Sequence, residues 1–201
     1  MPDPWRKRVE IGEAVLYEII YADPPWRYQD KNCNGAAAQQ YETMNLADIK
    51  ALPVSNIVAP NAVLFLWATW PLIRGAFEVI EAWGFTYKSI GFNWIKRNPG
   101  DQGYFFGLGR WTRGNAEPCL LATRGKPKRV NAAISQLIFE PVGRHSKKPD
   151  LVRERIVQLM GDKPRIELFA RKRTAGWAVW GNEVPPGPQK GRPVQLELGG
   201  A

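Results

Sequence analysis

The apolar positions of this chain fall into two nearly continuous runs and two amphipathic stretches. Residues 15–22, VLYEIIYA, and 62–68, AVLFLWA, are the runs expected of strands covered on both faces, the second bounded by Pro60-Asn61. Between them, YETMNLADIKALPV predicts a short helix around Leu46 to Ala51. TWPLIRGAFEVIEAWGF sets Ile73, Phe77, Ile80 and Trp83 at helical spacing, with Thr69 as the cap and Gly84 as the stop. Strands are expected at Thr86 to Lys96 and Glu117 to Thr123, joined by RNPGDQGYFFGLGRWTRGN, a loop rich in glycine, aromatics and arginine.

SKKPDLVRERIVQLMG is the clearest helix. Pro149 suits its first turn, Asp150 complements the dipole, Val152, Ile156, Leu159 and Met160 share one face, and Gly161 ends it. RIELFA (165–170) predicts a strand, and GWAVWGNE (176–183) carries a short one. Strands alternating with helices predict a doubly wound, mostly parallel α/β sheet of Rossmann-like form. The domain is expected over residues 14–183, after an N-terminal arm (1–13) and before a Pro/Gly-rich tail (184–201) expected to be disordered. There is no internal repeat.

Charge adds a partner to that picture. The 201 residues carry a formal net charge of +9, with basic clusters at 96–97, 110–113, 124–129, 144–148 and 171–173. One such cluster is an ordinary solvated face; this many fit a polyanion, and nucleic acid is the expectation. Nine tryptophans add candidate stacking surfaces, although most aromatics in a domain this size fill the core. Two cysteines without CxxC spacing and a single histidine, His145, give no zinc pattern, so no metal is expected. No apolar run is long enough to span a bilayer and MPDPWRKRVE lacks a signal-peptide core, which predicts a cytoplasmic setting.

The first apolar run ends in ADPPWRY. Methylation of an exocyclic base amine needs an acceptor pair for both N–H groups, because the nitrogen's lone pair is delocalised into the ring. Asp23 supplies a carboxylate. Pro24 and Pro25 supply rigid carbonyls with no competing N–H, and Trp26 supplies a face for a base swung out of its helix. The same four residues also make an ordinary strand-to-loop junction, and the motif alone leaves both readings open.

ADPPW resembles the signature of the amino-methyltransferases that modify adenine. YETMNLADI, FLWAT, WGFTYKSIGFNWIK, WTRGNAEPCLLATRGKP, RHSKKPDLV and IELFAR…GWAVWGNE follow in the order of the MT-A70 branch. The resemblance spans roughly residues 16–183. It implies a class I methyltransferase fold with permuted motif order, the catalytic strand first and the S-adenosylmethionine strands last. It assigns Asp23, Pro24, Pro25 and Trp26 to catalysis. Ala22, Asp23, Glu167, Arg171, Lys172, Arg173, Thr174, Asn182 and Glu183 fall to the cofactor. Tyr28, Tyr41, Arg110, Arg113, Arg144, His145 and Lys147 are the candidates for the substrate side, with Lys148 on the same loop. The glycine-rich cofactor loop of many methyltransferases is replaced here by FARKRTAG.

The expected activity is therefore transfer of a methyl group from S-adenosylmethionine to N6 of adenine in DNA, with specificity set by the 97–115 loop and the basic loops. RNA as substrate, or a silent nucleic-acid-binding subunit, are the alternatives. A homodimer is expected, because so small a chain needs a second copy to span a duplex.

Overall fold

The computed structural model describes residues 15–27, 43–100, 103–109, 111–143 and 147–185. Strands β1 (Tyr17–Ala22), β2 (Val58–Trp67), β3 (Thr86–Arg97), β4 (Ala116–Arg124), β5 (Leu137–Pro141), β6 (Arg165–Leu168) and β7 (Ala178–Trp180) form one sheet, ordered β5-β3-β4-β2-β1-β6-β7. Helices α1 (Leu46–Ala51), α2 (Ile73–Ala82) and α3 (Leu151–Met160) pack on it. All pairings are parallel except those of β4, which runs antiparallel to both β2 and β3. The reversal has a consequence for the site: the first residues of β4 stand at the edge where the other strands end.

Each face of the sheet has its own core, and β1 feeds both. Ile20 and Ala22 join Leu64, Leu66, Ile166 and Leu168 beneath α1 and α2. Ile19 and Tyr21 join Val63, Phe65, Trp67 and the α3 residues Val152, Ile156 and Met160. Two covered faces explain why β1 and β2 read as unbroken apolar runs, since alternation survives only where one face meets water. The Trp83 indole donates to the Ile49 carbonyl at 3.0 Å and ties α2 to α1.

The elements depart from the sequence expectations in physically simple ways. β2 starts earlier than its apolar run. Its register with β1 jumps from Tyr17↔Val58 to Ile19↔Val63, so the chain bulges around Pro60-Asn61, where proline has no N–H for the ladder. Thr69 makes no side-chain cap; a 3-10 turn at Trp70–Leu72 leads into α2 instead. Gly84, at φ +79°, does end that segment in a conformation glycine adopts freely. The buried face of α3 contains Arg153 with Val152, Ile156 and Met160, while Leu159 is only partly covered. β5 was not anticipated; it is an edge strand in which Ile138 alone is buried.

Candidate active site

β1 ends at the topological switch point of the sheet, with β2 on one side and β6 on the other. Ala22 pairs with Leu66 of β2 and Leu168 of β6, and Leu168 in turn pairs with Trp180 of β7. The crevice beyond such strand ends is the common ligand site of open α/β sheets. Asp23 is the first residue beyond β1, and it stands there.

The four residues after β1 are fixed largely through backbone bonds. The Trp26 N–H donates to the Pro24 carbonyl at 2.8 Å, the Met44 N–H to the Pro25 carbonyl at 2.9 Å, and the Arg27 N–H to the Met44 carbonyl at 3.1 Å. The Trp26 indole N–H donates to the Trp67 carbonyl at 3.1 Å, which holds a half-buried ring against the end of β2. With φ locked at both prolines, little backbone freedom remains between Asp23 and Trp26.

A charged network surrounds Asp23. Lys148 Nζ lies 3.0 Å from Asp23 Oδ1 and 2.9 Å from Glu117 Oε1, and Lys96 Nζ lies 2.7 Å from Glu117 Oε2. Glu117 reaches the network because β4 is reversed, and Lys96 because β3 ends beside it. Indole faces back both cations: Lys148 sits 5.5 Å from the Trp67 ring centroid and Lys96 5.0 Å from that of Trp94. Burial pushes the Asp23 carboxyl above its ordinary range; Lys148 opposes this and the Glu117 charge reinforces it. Burial would raise Glu117 too, but Lys148 and Lys96 together pull it below its ordinary value. Burial works against the charged form of Lys148, yet its two carboxylates raise its pKa overall.

Lys148, expected on a substrate-facing loop with its basic neighbours, is thus a buried member of the network around Asp23. Pro149 and the start of α3 turn it inward, while Lys147 stays half-exposed and pairs with Asp150 at 2.7 Å. Lys148 had been placed only on the substrate loop, and Glu117 had not been picked out as a site residue. The available signal was geometric: an acid opening the only reversed strand among those described.

On the other side of Asp23, the residues expected to hold a cofactor divide into two groups. Phe169 follows β6 at φ 60°, the only described non-glycine with positive φ, and its ring packs edge-on against Trp180. It takes the left-handed position directly after the strand without a glycine. Ala170 N–H donates to the Trp180 carbonyl at 2.9 Å, and Gly181 lies so close that a Cβ there would be 2.2 Å from the Ala170 oxygen. Past this bare backbone come Arg171, Asn182 and Glu183, with Arg171 Nε 3.7 Å from Glu183 Oε1. A carboxylate, an amide and a guanidinium around exposed backbone suit a ligand with an amino-acid end and a ribose diol. S-Adenosylmethionine is such a ligand; of the residues expected to hold it, Ala22, Asp23, Arg171, Asn182 and Glu183 lie at or just beyond these strand ends.

The second group turns toward α3. Glu167 points to the α3 face, where Arg153 binds both its oxygens, Nε to Oε2 at 2.7 Å and Nη2 to Oε1 at 2.5 Å. The carboxylate expected on the cofactor side is thus engaged by Arg153 within the protein. Lys172 pairs with Asp150 at 3.0 Å, and Lys172 and Thr174 line a groove against α3 with Asp150, Arg153 and Trp177. Arg173 donates to the Pro185 carbonyl at 3.3 Å. The stretch 171–174 therefore divides, Arg171 toward the strand ends and Lys172 and Thr174 toward the helix.

Of the substrate-side candidates, Arg113 is exposed on the β3–β4 loop and Lys147 at the start of α3. Tyr28, Tyr41, Arg110, Arg144 and His145 lie outside the described residues. Among the described residues, no cluster of His, Cys, Asp or Glu could hold a metal ion, and no helix is long and apolar enough to cross a membrane.

Residues 17–183 match the MT-A70 family. The chain is 34% identical over 191 residues to Type II methyltransferase M.MunI from a Mycoplasma species, covering 84% of this chain and 78% of that protein. It is 30% identical over 173 residues to N(6)-adenosine-methyltransferase MT-A70-like of Arabidopsis thaliana, covering 84% of this chain but 24% of the plant protein. Similarity to the N(6)-adenine-specific methyltransferase METTL4 of Homo sapiens is 27% over 189 residues, 87% of this chain and 39% of that protein.

Proposed function

The chain belongs to the MT-A70 family of S-adenosylmethionine-dependent methyltransferases, and from that premise we propose that it methylates the exocyclic N6 of adenine in DNA. The observation that carries the proposal is Asp23-Pro24 held rigidly at the switch point, beside Trp26 and a cradle suited to the cofactor. S-Adenosylmethionine supplies an electrophilic methyl group when bound. The protein's own part is to present the nitrogen to it.

The Asp23 carboxylate and the Pro24 carbonyl accept hydrogen bonds from the two N6 hydrogens, which withdraws the nitrogen lone pair from conjugation with the ring and localises it toward the methyl donor. The half-buried Trp26 ring offers a stacking face to the extruded base. Lys148 holds Asp23 in place from behind, and Glu117 and Lys96 hold Lys148. These groups are ordered before substrate arrives, so the gain comes from orientation and fixed polarity. Once the N–C bond has formed, the nitrogen sheds one hydrogen as a proton to water, and a neutral methylamine remains.

DNA is favoured over RNA because the relative whose length this chain mostly spans is a type II methyltransferase. Mapping methylated adenines in DNA from cells expressing the protein tests activity, polymer and sequence preference together. A map indistinguishable from that of cells expressing Asp23→Ala would overturn the proposal. RNA is the second reading, motivated by the plant relative's name. Parallel methyl transfer to matched DNA and RNA oligonucleotides separates the two.

The proposal includes a cytoplasmic homodimer, since one small domain reaches only part of a duplex. Sedimentation at assay concentrations tests the dimer.

A further inference from the structure

The connection from β3 to β4 leaves the sheet beside the catalytic network, between Lys96 and Glu117, and is built as a stiff stem. Arg97 bridges to Tyr104 and Gly107 to Gly114, with the Phe105 N–H donating to the Lys96 carbonyl at 2.9 Å. Gly107 and Gly114 exchange backbone bonds at 3.1 and 3.2 Å. A Cβ on Gly107 would fall 2.5 Å from the Gly114 oxygen, so the two arms close only because glycine stands there. The tip beyond carries Leu108, 96% exposed, and Trp111, 98% exposed, with Phe106 at 67% on the approach.

A tryptophan and a leucine held almost wholly in water on a braced stem need an occupant. Two features favour duplex nucleic acid over an apolar protein face: the basic residues Arg97 and Arg113 on the same connection, and the net charge of +9. The stem also leaves the sheet at the strand ends that carry the Asp23 network, between Lys96 and Glu117. An extruded base leaves a gap in the stack, and apolar side chains are the usual filling for such gaps.

We infer that Leu108 and Trp111 at the tip of this connection form a wedge, with Trp111 entering the base stack of the duplex where the target adenine has left it. The inference rests on the proposed DNA methylation. It adds a function for a loop that touches neither cofactor nor the amine.

The test is Trp111→Ala, a change at a fully exposed position. Its probes are duplexes carrying the sequence found by mapping, with the target adenine opposite either thymine or an abasic site. A wedge predicts a loss of roughly tenfold or more in kcat/KM on the paired duplex, corresponding to a few kcal/mol of unstacking. On the abasic duplex, where the base is already released, the loss should be within about twofold. In the paired duplex, the fluorescence of 2-aminopurine at the target position should fall with the variant. Equal losses on the two duplexes would overturn the wedge, as would unchanged activity on both or a loss traced to a halved sedimenting mass. If the unsubstituted protein methylates neither duplex, the methyltransferase reading fails instead, whatever the variant does.

Discussion

Asp23 and Glu167 sit on neighbouring strands, each beside a cation, and their surroundings differ in stoichiometry. Arg153 binds both Glu167 oxygens through Nε and Nη2 while its Nη1 reaches Asp150, an acid that also has Lys147 and Lys172, and Glu167 is 6% exposed. Asp23 shares a single lysine with Glu117, and its side chain is 23% exposed. Glu117 in turn has Lys96 as a second partner. Burial raises the Asp23 carboxyl, with Lys148 and the more distant Arg171 opposing and the Glu117 charge reinforcing, whereas Lys148 and Lys96 together overcome burial at Glu117 and lower it. Burial and an ion pair alone do not separate a structural acid from a reactive one. The number of cations per acid, and which acid still faces outward, does.

The comparison breaks most visibly at Asp23. Asp23→Asn removes the anionic acceptor for the amine, and methyl transfer should fall by about 10²–10³-fold or more, as when a preorganised polar contact is deleted. The fold should not suffer. A carboxyl whose folded pKa is raised contributes stability below its unfolded pKa and loses that contribution as pH rises through the folded value. At neutral pH its charge is thus a cost, and Lys148 retains Glu117. Calorimetry should give a Tm within a few degrees of the parent, while a cooperative loss of fold would contradict the stoichiometric argument.

At Glu167 the balance reverses. Glu167→Gln gives Arg153 a neutral amide in place of its buried carboxylate and leaves it the half-exposed Asp150, which costs up to about 3–5 kcal/mol, the range for a broken buried pair. For a domain of this size that is a Tm drop of roughly 6–20 °C. The protein that remains folded should retain kcat within a small factor, because its carboxylate touches the helix and not the crevice. A collapse of kcat at unchanged Tm would return Glu167 to the role expected from sequence.

Much of this was legible in the chain, for reasons that can be named. β1, β2 and α3 were visible because both-face burial and helical periodicity write themselves into apolar positions. The Asp23 to Trp26 corner was visible because two prolines after an acid have few other uses at a strand end. The hidden parts depend on long-range placement. Lys148 and Lys147 are identical in sequence, and only the turn at Pro149 sends one inward and the other into water. Glu117 becomes a site residue only because β4 is reversed, which no local pattern announces. Glu167 looked like a ligand because it closes an apolar strand, but side chains alternate along β6, and its parity sends it to α3 while Leu168 faces the other core. Phe169 carries no sign of its left-handed backbone, since glycine is the residue that position normally advertises.

The finest test acts through Glu117, which touches Asp23 only by way of Lys148. In Glu117→Gln, Lys148 gives its charge wholly to Asp23, and the carboxylate that helped raise Asp23 is gone. Both effects lower the Asp23 pKa. Methyl transfer requires ionised Asp23, so the rate of the parent should fall on acidification at a pH above the ordinary aspartate value of 3.8. In the variant this acid limb should move to lower pH, with little change on the plateau. The loss of stability should be about 1–3 kcal/mol, because the amide oxygen accepts from one lysine while its NH2 group faces the other. It should appear only above the ordinary glutamate value of 4.5, since a lowered carboxyl contributes stability that vanishes as pH falls through its folded pKa. An acid limb that stays in place would mean that Lys148 does not apportion its charge between the two acids, and the contrast with the Arg153–Glu167 pair would reduce to exposure alone.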